Sequence, residues 1–94
     1  MEAYFMGIDA GTQGVRVVVS DPEGNILFKQ EKKWETTFPR VGWAEQNPND
    51  WWDAITDIFS SATSVLGNHI IRKIIACCVC ATSSTVFPVN NDGV

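Results

Sequence analysis

Six residues near the N-terminus have the types and spacing needed to hold a phosphate group. In Met6-Gly7-Ile8-Asp9-Ala10-Gly11-Thr12-Gln13-Gly14-Val15-Arg16-Val17-Val18-Val19-Ser20-Asp21, an apolar run delivers Asp9 to a Gly/Thr/Gln turn. A β-branched run carrying Arg16 then leaves it. Gly11 and Gly14 permit backbone conformations closed to other residues and let a ligand approach the main chain. Successive N–H groups across Gly11, Thr12 and Gln13, with the Thr12 hydroxyl, can then cradle an anion. Asp9 is expected at the strand end, where a carboxylate can hold Mg²⁺ directly or through a bound water. Arg16 adds a charge-assisted contact. By residue type alone, a plain hairpin with a polar turn, a capping Asp and a solvated Arg stands beside this reading. A dinucleotide-binding loop fits poorly, because Gly-x-Gly-x-x-Gly must open a helix and a strand pattern follows Gly14.

Thr82-Ser83-Ser84 is a second candidate group. Short hydroxyl side chains donate and accept hydrogen bonds to a polyol without adding charge, although an ordinary polar turn has the same composition. The three cysteines, Cys77, Cys78 and Cys80, lie in one apolar run. On a strand Cys78 and Cys80 share one face and Cys77 takes the other, which is too few sulfur ligands for a metal site of about four. Buried structural thiols are expected instead. His69, the single histidine, follows a helix end with no partner motif for Ser-His-Asp chemistry.

These groups need a frame to position them. Residues 3–9 and 15–21 read as a hairpin, Asp21-Pro22-Glu23-Gly24-Asn25 as a turn, and residues near 26–35 as a third strand of an antiparallel meander. Residues 36–46 read as a loop with an exposed Trp43. Asn47 can cap a helix, Pro48 suits its first position, and Asp50 suits its first turn. Trp51, Ile55, Ile58, Phe59, Ala62, Val65 and Leu66 recur at helical spacing, so a helix over 48–66 is expected, ended by Gly67-Asn68. Ile74 to Ala81 shows no alternation and reads as a strand buried on both faces at the centre of the sheet. Thr85–Val89 reads as one more strand, before an Asp92-Gly93 turn signal. With only Val94 following that signal, the natural chain is expected to run on.

At 94 residues this is one domain at most. A 45% hydrophobic content with four Trp and five Phe supports a globular core and argues against disorder. A chain this short buries only about 60–65% of its unfolded surface, so its stability is modest. The net charge of −4 and pI near 4.7 provide no footprint for nucleic acid. No stretch reaches membrane-span length, and clustered cysteines fit a reduced, cytoplasmic setting.

The phosphate hairpin resembles the first phosphate motif of the actin-like sugar kinases. Asp9, Gly11, Thr12 and Arg16 match position by position what the FGGY carbohydrate kinases carry there. Gly42-Trp43-Ala44-Glu45-Gln46-Asn47-Pro48, followed by Trp51-Trp52, resembles the Gly-Trp-x-Glu-Gln-Asp/Asn-Pro stretch of xylulose-type members. Both motifs in the right order are far more specific than either alone. The resemblance implies an α/β fold: a partial actin-like ATPase (ribonuclease H-like) domain, β-β-β-α-β-β with a mixed sheet. Residues 1–94 would form the N-terminal part of the first of two such domains.

It further implies ATP and Mg²⁺ as cofactors and a small-molecule sugar as substrate. Gly11, Thr12, Gln13 and Arg16 would hold phosphate, and Asp9 would hold Mg²⁺ through water. Thr82, Ser83 and Ser84, with Trp43 of the preceding loop, would contact the sugar. Thr82-Ser83 looks like the ribulose-kinase-type branch, but Cys80 stands where that branch has an acidic residue. The sugar therefore stays open, a pentulose such as xylulose or ribulose fitting best. The catalytic base is expected beyond Val94, which would leave this segment inactive by itself. Two alternatives are a non-catalytic actin-like module that self-associates, and a phosphatase or ATPase of the same superfamily.

Overall fold

Three N-terminal strands form the meander: β1 (Tyr4–Ala10), β2 (Gly14–Ser20) and β3 (Ile26–Lys33). In the computed structural model, which describes residues 2–82 and 87–94, β2 is the buried strand. Val15, Val17 and Val19 are fully buried, whereas Arg16 between them is exposed. This is the period-two alternation of a β-branched strand with one covered face. β2 pairs antiparallel with β1 on one side and with β3 on the other. The Asp21 carboxylate closes the β2–β3 turn by accepting from the amides of Glu23 and Asn25 and from the Asn25 side chain.

The helix α1 (Pro48–Ile71) starts where its caps dictate. Asn47 Oδ1 accepts from the Asn49 amide at 3.0 Å, and Pro48 occupies the first turn, where its missing N–H costs nothing. Gly67, with φ 77° and ψ 163°, interrupts the helix. The expected end at Gly67 is thus a kink, after which a short helical turn continues to Ile71. The buried stripe is Ala54, Ile58 and Ala62, spaced four apart, with two small residues that let α1 lie close on β2 and β3. Phe59 and Val65, expected on this stripe, are exposed instead.

β4 (Ile74–Ala81) pairs parallel with β1, so the sheet order is β3-β2-β1-β4. The mixed sheet with a covering helix agrees with expectation, but the place of β4 does not. It is an edge strand, with Ile75 and Val79 each 64% exposed and all three cysteines exposed. The physical reason is that α1 packs over β3 and β2 and no described element lies beyond β4. The apolar character of β4 is real, but among the described residues nothing covers it.

A fifth strand, expected over Thr85–Val89, lies partly outside the described residues, and 87–89 carry none. The Asp92-Gly93 turn does form, with the Gly93 amide donating to the Asn90 carbonyl at 3.0 Å. No described helix is long and apolar enough to cross a membrane.

Candidate functional site

The turn between β1 and β2 is held from behind by side chains that come from far along the chain. The Thr12 carbonyl accepts from Trp34 Nε1 at 3.1 Å and from Gln46 Nε2 at 2.7 Å. The Gln13 carbonyl accepts from the Trp34 amide at 3.1 Å, and Gly11 donates to the Gly14 carbonyl at 2.9 Å. Gln46 Nε2 also donates to Thr36 Oγ1 at 2.8 Å, while its Oε1 accepts from Trp51 Nε1 at 3.0 Å. Gln46 directly precedes the cap of α1 and Trp51 lies in its first turns, so the helix start places both. A bridge between Thr37 and Glu45 closes the loop that leads there.

Among the described residues, the amides of Thr12 and Gln13 have no hydrogen-bond acceptor. Exposed, unpartnered successive amides are the donor set that binds oxyanions. The glycines beside them act differently from expectation. Neither Gly11 nor Gly14 has a positive φ, so backbone freedom is not what requires them. A Cβ on Gly14 would meet the Lys32 carbonyl oxygen at 2.5 Å and Lys33 Cα at 2.8 Å: the close approach is to β3, not to a ligand.

In front of the turn lies a cleft of about 760 Å³. Gly11, Thr12 and Thr82 line it together with Trp34, Gln46 and Trp51. The Thr82 amide donates to the Ala10 carbonyl at 3.1 Å, which sets this residue beside the β1–β2 turn. Trp51 packs its ring against Trp34 at 6.1 Å and edge-on to Phe87 at 5.6 Å between centroids. The lining is a wall of aromatic rings with a few convergent polar groups, the usual make-up of a small-molecule site.

Asp9 and Arg16 stand on the other face of the sheet, opposite each other across β1 and β2. Arg16 Nη1 donates to Asp9 Oδ2 at 3.1 Å and its Nε to Glu31 Oε2 at 2.7 Å. Hydrogen bonding and charge from Arg16 hold the Glu31 carboxyl below the usual range. Glu31 first, and Asp9 after it, keep the guanidinium protonated even more firmly than usual. Cys80 is the neighbour of Asp9 on β4.

The structure therefore groups Gly11, Thr12 and Thr82 at one cleft and sets Asp9 with Arg16 apart from its lining. Trp43 is 52% exposed, with Arg40 over its ring at 4.8 Å, and does not line the cleft. Ser83 and Ser84 lie outside the described residues. Sequence reasoning missed Trp34, Gln46 and Trp51 as site residues. The signal available was the Glu45-Gln46-Asn47-Pro48 motif, a polar residue set immediately before a helix cap. No group of three or more His, Cys, Asp or Glu gathers as a metal site among the described residues.

Known proteins resemble this chain in sequence and fold. The model of the FGGY family of carbohydrate kinases, N-terminal domain, matches residues 4–93. Glycerol kinase of Bacillus licheniformis is 34% identical over 67 residues, covering 71% of this chain and 14% of that protein. Glycerol kinase of Beutenbergia cavernae is 36% identical over 72 residues, again covering 14% of the relative. In structure, gluconate kinase from Lactobacillus acidophilus superposes over 100% of this chain and 18% of its own, with a TM-score of 0.84 at 24% identity. Ligand-bound xylulose kinase from the same organism gives 0.83 at 25% identity, over 98% of this chain and 18% of its own. The mixed sheet with its helix is part of an actin-like ATPase domain, and the chain spans about one-seventh of the length of its curated relatives. By sequence and by fold, this chain belongs to the FGGY family of carbohydrate kinases and represents the N-terminal part of such a kinase.

Proposed function

We propose that the protein carrying this segment is an ATP-dependent kinase that phosphorylates a hydroxyl of a neutral sugar, a ketopentose such as xylulose or ribulose fitting best. The observation that carries this reading is the pair of amides at Thr12 and Gln13 that have no acceptor among the described residues, on a turn pinned from behind and opening on a cleft. ATP supplies the phosphoryl group, and catalysis of its transfer is mostly positioning and electrostatic stabilisation.

The residues present fit an anion. Thr12 and Gln13 offer main-chain donors and Thr12 a hydroxyl, while the Gly11 N–H, already donated to the Gly14 carbonyl, would let the anion approach the main chain. Arg16, on the other face of the sheet with Asp9 and Glu31, would have to leave that face to join them, using the N–H groups it keeps in reserve, since a guanidinium has five. Mg²⁺ retains several waters and needs only one or two carboxylates; in this reading Asp9, paired here with Arg16, would hold one of those waters, with the other ligands supplied from outside this segment. Thr82, with Ser83 and Ser84, would hydrogen-bond sugar hydroxyls, and Trp34 and Trp51 would wall the cleft against water. Residues 1–94 form the first part of the first actin-like domain in this reading. With the base elsewhere in the protein, the segment alone would be inactive, and the working setting would be cytoplasmic.

The test is a coupled ADP-release assay with xylulose, ribulose, glycerol and gluconate. The complete protein carrying this segment should release ADP with one of them, and silence with all four overturns the kinase reading. Sugar-dependent ADP release by the purified 94-residue chain would overturn its inactivity. The exposed β4 edge favours a second reading, self-association of the isolated chain. Light scattering that shows a monomer at every concentration removes it.

A further inference from the structure

The amide of Gln46 sits among three partners whose chemistry permits only one orientation. An indole N–H can only donate and a carbonyl oxygen can only accept. Oε1 must therefore face Trp51 Nε1 (3.0 Å), and Nε2 must face the Thr12 carbonyl (2.7 Å) and Thr36 Oγ1 (2.8 Å). Trp34 Nε1 adds a second donor to the same Thr12 carbonyl at 3.1 Å. A carbonyl that accepts two hydrogen bonds from fixed donors is itself fixed in direction.

That carbonyl shares a peptide plane with the Gln13 N–H. No described peptide bond is cis, and in a trans peptide the C=O and the N–H point in opposite directions. Pulling the Thr12 carbonyl toward Gln46 and Trp34 therefore aims the Gln13 N–H away from them. This N–H is one of the two amides without an acceptor among the described residues.

We propose that Gln46 is a positioning residue for anion binding: by donating to the Thr12 carbonyl it sets the peptide plane that presents the Gln13 N–H to an oxyanion. It touches the anion through no atom of its own, and Trp51, by occupying Oε1, keeps the amide from rotating into the wrong sense. The proposal rests on the reading of the turn as a phosphate site. Gln46 acts as the link between the start of α1 and the turn, so a shift of the helix start is transmitted to the donor set.

The test uses the ¹⁵N-labelled chain titrated with sulfate, an oxyanion whose charge is constant from neutral to mildly acidic pH, at fixed ionic strength. In the unaltered chain the Thr12 and Gln13 amide signals should move with sulfate. Gln46→Met removes both donations, and Gln46→Glu presents an acceptor where a donor is needed. Each should weaken sulfate binding about fivefold to tenfold near neutral pH, the scale of one or two net hydrogen bonds.

A protonated carboxyl can donate. Binding by Gln46→Glu should therefore recover as pH falls through the carboxyl range of about 4 to 5, while the unaltered chain shows no such gain. This recovery occurs within one variant, so loss of the fold cannot imitate it. If the unaltered chain shows no response to sulfate, the phosphate reading falls and this inference with it. If the unaltered chain responds and both variants bind within twofold of it, or Gln46→Glu fails to recover, the positioning role alone is overturned.

Discussion

Replacing Gly14 by alanine should loosen the sheet and the site together, and the geometry sets the scale. The added Cβ would stand 2.5 Å from the Lys32 carbonyl oxygen, 2.8 Å from Lys33 Cα and 3.1 Å from the Lys32 carbonyl carbon. All three are backbone atoms of one strand, so no side chain can swing aside. Relief requires β3 to move by several tenths of an ångström or more, and overpacking of this kind costs about 1–3 kcal/mol. Against this, alanine restricts the unfolded chain and returns about 0.4–1 kcal/mol where the backbone is compatible.

These two ranges leave a net loss of about 0–2.6 kcal/mol, centred a little above 1. Gly11→Ala is the matched control. Its Cβ would meet only the Gly14 carbonyl oxygen at 3.7 Å, an ordinary contact, and its φ is not positive. Urea unfolding followed by tryptophan fluorescence reads both variants. With a slope of about 1 kcal/mol per molar urea, Gly14→Ala should lower the midpoint by about 1 M and Gly11→Ala by little or nothing. Because Trp34, immediately after β3, bonds to Thr12 and Gln13, displacement of β3 should also shift the turn amides in the NMR spectrum. Equal midpoints for the two variants would refute the steric argument.

Ile58→Ala removes the fully buried side chain at the centre of the helix stripe and should cost about 2–5 kcal/mol, read as loss of helical circular dichroism at a lower temperature. Glu31 should titrate below its ordinary value of 4.5 because of Arg16, and Arg16→Gln should bring it back up, as followed by carboxyl NMR. Since the folded value is depressed, the stabilisation is present above the unfolded value and lost as pH falls through the folded one; unchanged titration in Arg16→Gln would contradict the pairing. The three thiols are exposed, so all should react with a thiol reagent in the native chain as fast as in denaturant. Protection until unfolding would show that β4 is covered.

Much of the fold was legible because its signals are local. The β-branched run Val15–Val19, the Asn47-Pro48 cap and the Gly67 break each involve neighbours within a turn or two, and each lies where the pattern placed it. The stripe on α1 was harder to read. Trp51, Ile55, Ile58, Phe59 and Val65 are all apolar, and only the contact with β2 and β3 selects Ala54, Ile58 and Ala62 as its buried line. At the site, Gly11 and Thr12 were legible from their types and sit on the cleft. The purpose of Gly14 was not, because its constraint comes from Lys32 and Lys33 on another strand.

The sequence by itself determined the order from β1 through α1 to β4, the Gly/Thr/Gln turn between β1 and β2, and the family, because hydrophobic period, cap chemistry and motif spacing are properties of the chain read along its length. Only the tertiary structure decided that β4 lies at an edge, that Arg16 is shared between Asp9 and Glu31, and that Gln46 grips a carbonyl 34 residues away. Those outcomes depend on which surfaces meet, and the energy of a meeting belongs to both partners, so neither stretch of sequence contains it alone.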